Sequence, residues 1–569
     1  MFKGGFYVHP SLCSQNANNA SVSISQASAL ADFDRDKLIS QEAAWAEIEF
    51  VNREMGPTRF CGSPEHRRFV NWIKIELARA LTPAQGEVFE DVFENFPLWS
   101  PKSWSLEVNG KAVPVASYVP YCTGGFTGRR APLTAAATLA SPGGGGHYPR
   151  ANGRTVVAFK PSARAEGQLV DLGVQTNRDT IDWARAAGKI ALVRLALSSE
   201  FTSSYLGSYT VNGVWEGSKR DAGRFAQQLT SSSASAYLRR HILADAANRA
   251  GVLGVVLAWQ GVSDDNAEGQ WEPCPFSSSP HSSSAGSDPA KTKPGIPALF
   301  VNETVGRQLA SDAASGASAT ITIEAEFEQV STAAVWGLLP GARFGHADDE
   351  ILICNTHSDG PNMAEENAGI AVVNMARYFA QVPLSKREKT MVFLSVPAHF
   401  SNGFLGKGSR DWITQHPQIV AKTVGVLCLE HLGCREWRDV RDPGGSLRYM
   451  DTSRPLQSAI LITAPEFDGQ SPAPPDPVLE RIVESALARC KERAAILSGG
   501  EFWGEGAGFI ELGIPTIGFC PWPEYFKAWG PDGLISKLDP AVFHDQLQFS
   551  VHCLLAMQVE AAAARKDAG

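Results

Sequence analysis

Residues 351–367 read ILICNTHSDGPNMAEEN. Ile351–Cys354 is a short apolar run ending in polar residues, the pattern of a buried strand. The next stretch, Ala368–Phe379, reads as a helix. Working outward, Thr390–Val396, Val424–Leu429, Ala459–Thr463 and Pro515–Phe519 read as further strands. Val478–Lys491 and Pro540–Glu560 read as helices. This alternation predicts an α/β fold, a mostly parallel or mixed sheet flanked by helices. In such sheets function gathers at the carboxyl ends of the strands. Here the first strand ends in Asn355-Thr356-His357-Ser358-Asp359-Gly360.

Upstream, Trp45, Ile48 and Val51 recur at helical spacing until Gly56-Pro57 breaks the pattern. Ser63-Pro64-Glu65 is a helix start: Ser caps, Pro suits the first turn, and an acid suits the positive end. Phe69, Trp72, Ile73, Leu77, Ala80 and Leu81 then line one face of a helix reaching about Leu81. Between residues 108 and 335 the composition shifts to short strands set in Gly, Ser and Pro. Thr155–Phe159, Lys189–Leu195, Val252–Leu257, Ala298–Val301 and Ala319–Ile323 are such strands, with one helix over Ala234–Ala250. The polar stretches Ser198–Ser233 and Asp264–Lys293 interrupt them, and the second reads as a surface loop or lid. The expected organisation is an arm over residues 1–39, an α/β domain from 40–107 and 336–569, and an inserted β-rich domain over 108–335. Lys189–Val193 and Ile351–Cys354 are accordingly expected in different sheets.

The chain has 569 residues, 44% of them hydrophobic and 20% charged, which is globular usage and excludes wholesale disorder. A net charge of −9 argues against a nucleic-acid-binding surface. No stretch approaches eighteen apolar residues, so no membrane span is expected. The first residues lack the apolar core of a secretory signal. The 10 Cys include no Cys-x-x-Cys pair, which points to buried thiols in a reducing cytoplasm.

Candidate ligands lie at two strand ends: His357 with Asp359 at one, Glu430 with His431 at the other. Glu365-Glu366-Asn367 precedes the first helix. Neutral imidazole with carboxylates is a ligand set for zinc, manganese or iron(II). Asp359 could accept the other ring N–H and fix the His357 tautomer. On extended backbone His431 would point away from Glu430, which gives His431 a structural role.

The sequence resembles the zinc aminopeptidase and glutamate-carboxypeptidase-like family, whose members often carry an inserted protease-associated domain. The resemblance runs over about residues 40–560. It rests on Gly56-Pro57-Thr58-Arg59-Phe60-Cys61-Gly62-Ser63, on Gly188-Lys189-Ile190-Ala191-Leu192-Val193, on Ala246–Leu257 and on Gly295-Ile296-Pro297-Ala298. It continues through His357-Ser358-Asp359, Glu366-Asn367, Glu430 and Gly513-Ile514-Pro515. It implies a peptidase-like α/β domain with a protease-associated-like insertion. It also implies a homodimer and an insertion that helps cover the pocket. The family's Glu-Glu pair before Gly403-Phe404-Leu405-Gly406 is Phe400-Ser401 here, and its late Tyr-His is replaced in Tyr525-Phe526-Lys527, with Asp532 downstream. Those losses fall on one of the family's two ions. The other ligand set is kept as His357, Glu366 and Glu430, so the resemblance implies one divalent transition metal, zinc first.

The expected function is a single-metal hydrolase that cuts an amide-like bond in a small molecule or short peptide. Phe400 cannot accept a proton, so a nearby base is needed. His399 is the first candidate. The second is Glu505, where the resemblance places a pocket Asp. Trp522, Tyr525, Lys527 and Trp529 are expected on a substrate-facing loop. The alternatives are a non-catalytic binding protein of peptidase fold, or a lyase or acyl-transfer reaction on the same scaffold.

Overall fold

The computed structural model describes residues 33–119, 162–176, 180–196, 209–221, 246–270, 296–399, 408–467, 473–499, 504–525 and 528–560. The strand expected at Thr155–Phe159, most of the Ala234–Ala250 helix, residues 400–407 and Phe526-Lys527 lie outside them.

The helices that matter for the site are α1 (Gln41–Phe50), α2 (Pro64–Leu81), α3 (Asp264–Gly269), α4 (Ala368–Ala380), α5 (Gly408–Gln415), α6 (Pro477–Leu487) and α7 (Pro540–Val559). The strands are β1 (Glu87–Val108), β2 (Ala163–Gln175), β3 (Ile190–Ala196), β4 (Tyr209–Glu216), β5 (Gly254–Gln260), β6 (Ala298–Val301) and β7 (Ser318–Leu339). They continue as β8 (Ile351–His357), β9 (Thr390–Val396), β10 (Thr423–Leu429), β11 (Arg435–Arg441), β12 (Leu447–Pro455), β13 (Ser458–Ile462), β14 (Arg493–Gly499) and β15 (Thr516–Phe519).

The fold is α/β, with a mixed sheet flanked by helices. Across the sheet the order is β6-β5-β3-β2-β7-β9-β8-β10-β15-β13-β14-β4, with short strands beyond both ends. β8 pairs in parallel with β9 and β10, and β10 in parallel with β15. A central parallel strand is covered on both faces and therefore reads as continuously apolar. Every residue of β8 is buried. Its side chains still alternate: Leu352 and Cys354 join the cluster that holds Phe69, Ile73, Val373 and Leu547, while Ile351 and Ile353 join Trp336, Val392, Leu394 and Trp412. At the start of α2, His66 N donates to Ser63 Oγ (3.1 Å), as the capping pattern predicts. α2 packs against α4 so closely that a Cβ on Gly369 would lie 3.0 Å from Phe69 Cζ and Ile73 Cδ1.

The expectation of separate sheets for Lys189–Val193 and Ile351–Cys354 is corrected. Both belong to one 16-stranded sheet, because β7 is 22 residues long and serves both halves. Its first part pairs with β2 and its last part with β9. At about 3.3 Å per residue such a strand spans roughly 70 Å. The apolar clusters nevertheless divide: Leu106, Leu169, Ile190, Leu192, Val256 and Ile321 pack together apart from the α2–α4 cluster. Six of these strands were not anticipated: β1, β2, β4, β11, β12 and β14. β14 begins six residues after α6 ends, and β4 arises inside the polar stretch Ser198–Ser233 and pairs antiparallel with β14. Among the described residues no helix is long and apolar enough to cross a membrane.

Candidate functional site

The parallel pairing lines up four strand ends. β8 ends at His357, β10 is followed by Glu430, and β15 by Cys520; Leu429 and Phe519 are register partners. β9 is followed by Pro397-Ala398-His399. Ala398 takes φ +72°, a left-handed conformation unusual for a residue with a Cβ. That bend carries His399 back over β8, where its backbone N–H donates to Asp359 Oδ1 (3.0 Å). The His357 and His399 rings stack, with centroids 4.1 Å apart and planes 14° apart.

His357 Nδ1 donates to the carbonyl of Asp359 at 2.8 Å. His431 Nδ1 donates to the carbonyl of Pro521. A carbonyl can only accept, so in the neutral ring each Nδ1 carries the hydrogen and each Nε2 is the lone-pair atom. His431 Nε2 lies 2.8 Å from Glu365 Oε2 and 3.9 Å from Glu430 Oε2. One ligand atom each from His357, Glu365 and His431 lie within 4.8 Å of one another, and the same holds for His357, His399 and Glu430 and for Glu430, His431 and Cys520.

Glu430 accepts from the Glu505 N–H (3.2 Å) and from the Cys520 thiol (3.4 Å). Gly504 permits this approach. Its φ is +74°, and a Cβ there would lie 1.9 Å from Glu430 Oε1. Burial, and next the charge of Glu430, push the Cys520 thiol pKa well above its ordinary value.

Three expectations are corrected. Glu366 is not in the imidazole cluster. Its Oε2 accepts from Arg59 Nη2 (2.8 Å), and its Oε1 accepts from the Gly369 N–H (3.1 Å) at the start of α4. Both oxygens are committed there, and its neighbour Glu365 faces the rings instead. His431 does not turn away from Glu430. It sits at φ +57°, outside extended geometry, so both side chains reach the same group. Asn367 fixes that turn by donating to the Leu432 carbonyl (2.7 Å) and accepting from the Leu432 N–H (3.0 Å). Tyr525 is not offered to a substrate. It is fully buried, and its hydroxyl lies within hydrogen-bond reach of the carbonyls of Arg435 and Lys537. Trp522 is buried beside Tyr209, Trp529 is exposed, and Lys527 lies outside the described residues. Asp359 does orient the site, but by different atoms from those expected: its carbonyl takes His357 and its carboxylate takes the His399 backbone.

The two base candidates turn out to be one pair. His399 Nδ1 faces Glu505 Oε1 at 3.0 Å, and Glu505 Oε2 accepts from the Ser409 N–H at the start of α5 (3.0 Å). Burial alone would lower the His399 pKa, but the hydrogen bond to Glu505 and the charges of Glu430, Glu505 and Glu365 outweigh it and bring it to about 9. Burial would raise Glu505, but the hydrogen bond and charge of His399, and then the Ser409 side chain, hold it at about 2. His357 is driven the other way, well below the usual imidazole range, by burial and by His399 beside it. The His399 side chain is 16% exposed against 4% for His431, so it is the more open of the two to proton exchange.

A divalent ion fits these residues. Glu365, Glu430 and Asp359 are buried with the imidazoles, while His399 is paired with Glu505 and the guanidinium of Arg59 is spent on Glu366. Buried carboxylates need a compensating cation. The lone-pair Nε2 of His431 and the Glu365 oxygen at 2.8 Å also need a proton or a cation between them. Two imidazoles and a carboxylate, with a position left open, form a catalytic zinc set. The sequence reading missed Cys520, although it directly follows a strand end. It named Glu365 without assigning it a role, because nothing local separates two adjacent glutamates.

No protein-family model matches the sequence, and no curated protein sequence matches it. Solved structures do match its shape. A peptidase M28 precursor from Shewanella amazonensis SB2B is similar over 92% of this chain and 93% of its own, at 12% identity and TM-score 0.53. BSAP, a zinc aminopeptidase from Bacillus subtilis, is similar over 93% and 97%, at 15% identity and TM-score 0.51. The fold is that of the zinc aminopeptidases. An aminopeptidase from Aneurinibacillus sp. strain AM-1 adds a third likeness, over 91% and 94%, at 15% identity and TM-score 0.50. Identities this low establish the fold and leave the chemistry to the residues described above.

Proposed function

We propose that the protein is a metal-dependent hydrolase that cuts an amide-type bond in a short peptide or small molecule. The reading holds one divalent transition ion, zinc first, on His357, Glu365 and His431, with Glu430 beside them. When bound, such an ion supplies Lewis-acid polarisation of a carbonyl and lowers the pKa of water. The remaining chemistry belongs to the chain. Glu505 holds the His399 ring by Nδ1 and leaves Nε2 as its proton-exchange atom; with a bound cation offsetting the Glu430 and Glu365 charges that raise the ring, Nε2 would accept a proton and return it to the leaving group. Asp359 keeps His399 in place through its backbone and His357 in its tautomer through a carbonyl. The observation that carries the reading is the convergence of His357, Glu365 and His431, whose ligand atoms lie within 4.8 Å of one another, with both imidazoles tied by Nδ1 to carbonyls so that Nε2 has the lone pair.

The names of the similar structures support a peptide as the substrate class. Metal analysis of purified protein is the test. About one equivalent of tightly held transition metal, lost on chelation together with amide hydrolysis, supports the reading. Protein that takes up no metal would overturn it and leave the binding-protein reading of this fold.

A further inference from the structure

Helix α3 belongs to the Ser- and Gly-rich segment, yet its side chains are fastened to residues that follow β15. Asn266 and Gln270 are 1% and 2% exposed. Asn266 Nδ2 donates to Asp439 Oδ2 of β11 (2.9 Å) and to Glu524 Oε1 (3.2 Å). Gln270 Nε2 donates to the Glu524 carbonyl (3.2 Å) and to Asn266 Oδ1 (2.9 Å). Two backbone links run alongside. The Ser263 N–H donates to Asp439 Oδ1 (3.2 Å), and the Trp529 N–H donates to the Gly269 carbonyl (2.8 Å). Gln270 and Ala528 also pair as an antiparallel bridge.

The fastened residues hold two of the groups around the proposed ion. The Pro521 carbonyl, three residues before Glu524, accepts from His431 Nδ1 and so decides which nitrogen of that ring has the lone pair. The Ala528 carbonyl accepts from Asn362 Nδ2 (2.7 Å), and Asn362 Oδ1 in turn accepts from the backbone N–H of Ala364 (2.8 Å) and Glu365 (2.9 Å). One route from α3 thus reaches His431 and a second reaches Glu365.

We propose that Asn266 and Gln270 are positioning residues for the ion site: their side chains fix Glu524 and so hold Pro521, and through it His431, in ligand geometry, while the backbone of Gly269 and Gln270 holds Ala528 and through it Asn362 and Glu365. The inference rests on the ion-binding reading above. It makes the affinity for the ion a property of the Ser- and Gly-rich segment, although that segment supplies none of the proposed ligands. Partners that touch a ligand directly are worth about 10–100-fold in metal affinity, and a residue that acts through such a partner is expected near the lower end.

The experiment uses the full chain, stripped of metal by dialysis against a chelator. Zinc affinity is read by competition with a chromophoric chelator, and the melting temperature of the stripped protein is read separately. Asn266→Ala and Gln270→Ala are each expected to weaken zinc binding by about 10-fold with the stripped protein melting as wild type does. Gln308→Ala, on an exposed site of the same segment, is expected to bind zinc as wild type does. Wild-type affinity in both Asn266→Ala and Gln270→Ala would overturn the inference and leave the hydrolase reading standing. Affinity that falls only in step with melting temperature would also overturn it, because the role would then be general stability. A wild-type chain that binds no zinc would overturn both readings.

Discussion

Arg59 donates to Glu366 at 2.8 Å in the interior, and this pairing is why Glu365, and not its neighbour, faces the imidazoles. The guanidinium also donates to the Gly56 carbonyl (2.9 Å) and lies over the Phe69 ring, 4.6 Å from its centroid. Removing one partner leaves a buried charge uncompensated. Arg59→Met is expected to cost about 3–5 kcal/mol of stability, read by urea unfolding. The double variant Arg59→Met with Glu366→Leu is expected to recover most of that loss. A mild single variant would show that Glu366 is not charged in the fold.

Ligand variants separate Glu365 from Glu366. His357→Ala, His431→Ala and Glu365→Gln are each expected to weaken metal binding by more than the roughly 100-fold upper range for an indirect partner. Asp359→Asn is expected to stay within about 10–100-fold, because its carboxylate accepts from the His399 backbone N–H and is not one of the proposed ligands. Metal content after gel filtration distinguishes the classes. Full occupancy in Glu365→Gln would remove Glu365 from the ligand set.

His399→Ala is expected to lower turnover of an amide substrate by about 10²–10⁴-fold while metal content stays the same. Glu505→Gln is expected to act in the same direction, because it removes the charge that holds the His399 ring. Metal lost from His399→Ala would make that ring a ligand instead.

Glu492 gives a pH signature far from the site. It is buried, with Ser458 Oγ (2.6 Å) and Gln546 Nε2 (3.3 Å) donating to it, and burial pushes its pKa up to about 8. The unfolded carboxyl titrates near 4.3. Between about 4.3 and about 8 the native state therefore binds more protons than the unfolded state. Its contribution is complete below the lower value and is lost as pH rises through the upper one. Glu492→Gln is expected to flatten this fall, seen as a smaller drop in urea midpoint between pH 5 and pH 8. An unchanged slope would show that Glu492 does not retain its proton in the fold.

Much of the fold is legible in the sequence because central parallel strands are apolar throughout and helix starts carry capping residues. Thr390–Val396 shows the first and Ser63-Pro64 the second. β7 reads only in part. Glu324, Glu326 and Glu328 interrupt its apolar pattern, and pairing with β1 over most of its length holds it extended regardless. At the site, His357, His399, Glu430 and Glu505 are legible from strand ends and glycine context. The choice between Glu365 and Glu366 is made by Arg59, which comes near only after folding. The facing of His431 depends on one left-handed residue that alternation along a strand cannot express.

The Ser- and Gly-rich segment contributes strands on both flanks of the sheet, with β2, β3, β5 and β6 on one side and β4 against β14 on the other. Excising it would strip β14 of its neighbour and expose a seven-residue edge, Arg493–Gly499, whose middle, Ala494–Leu497, is apolar. Unpaired backbone along such a strand is a template for another chain. A shortened protein would thus carry its own aggregation seed, and β4 acts as a built-in solubility guard for the far edge of the sheet.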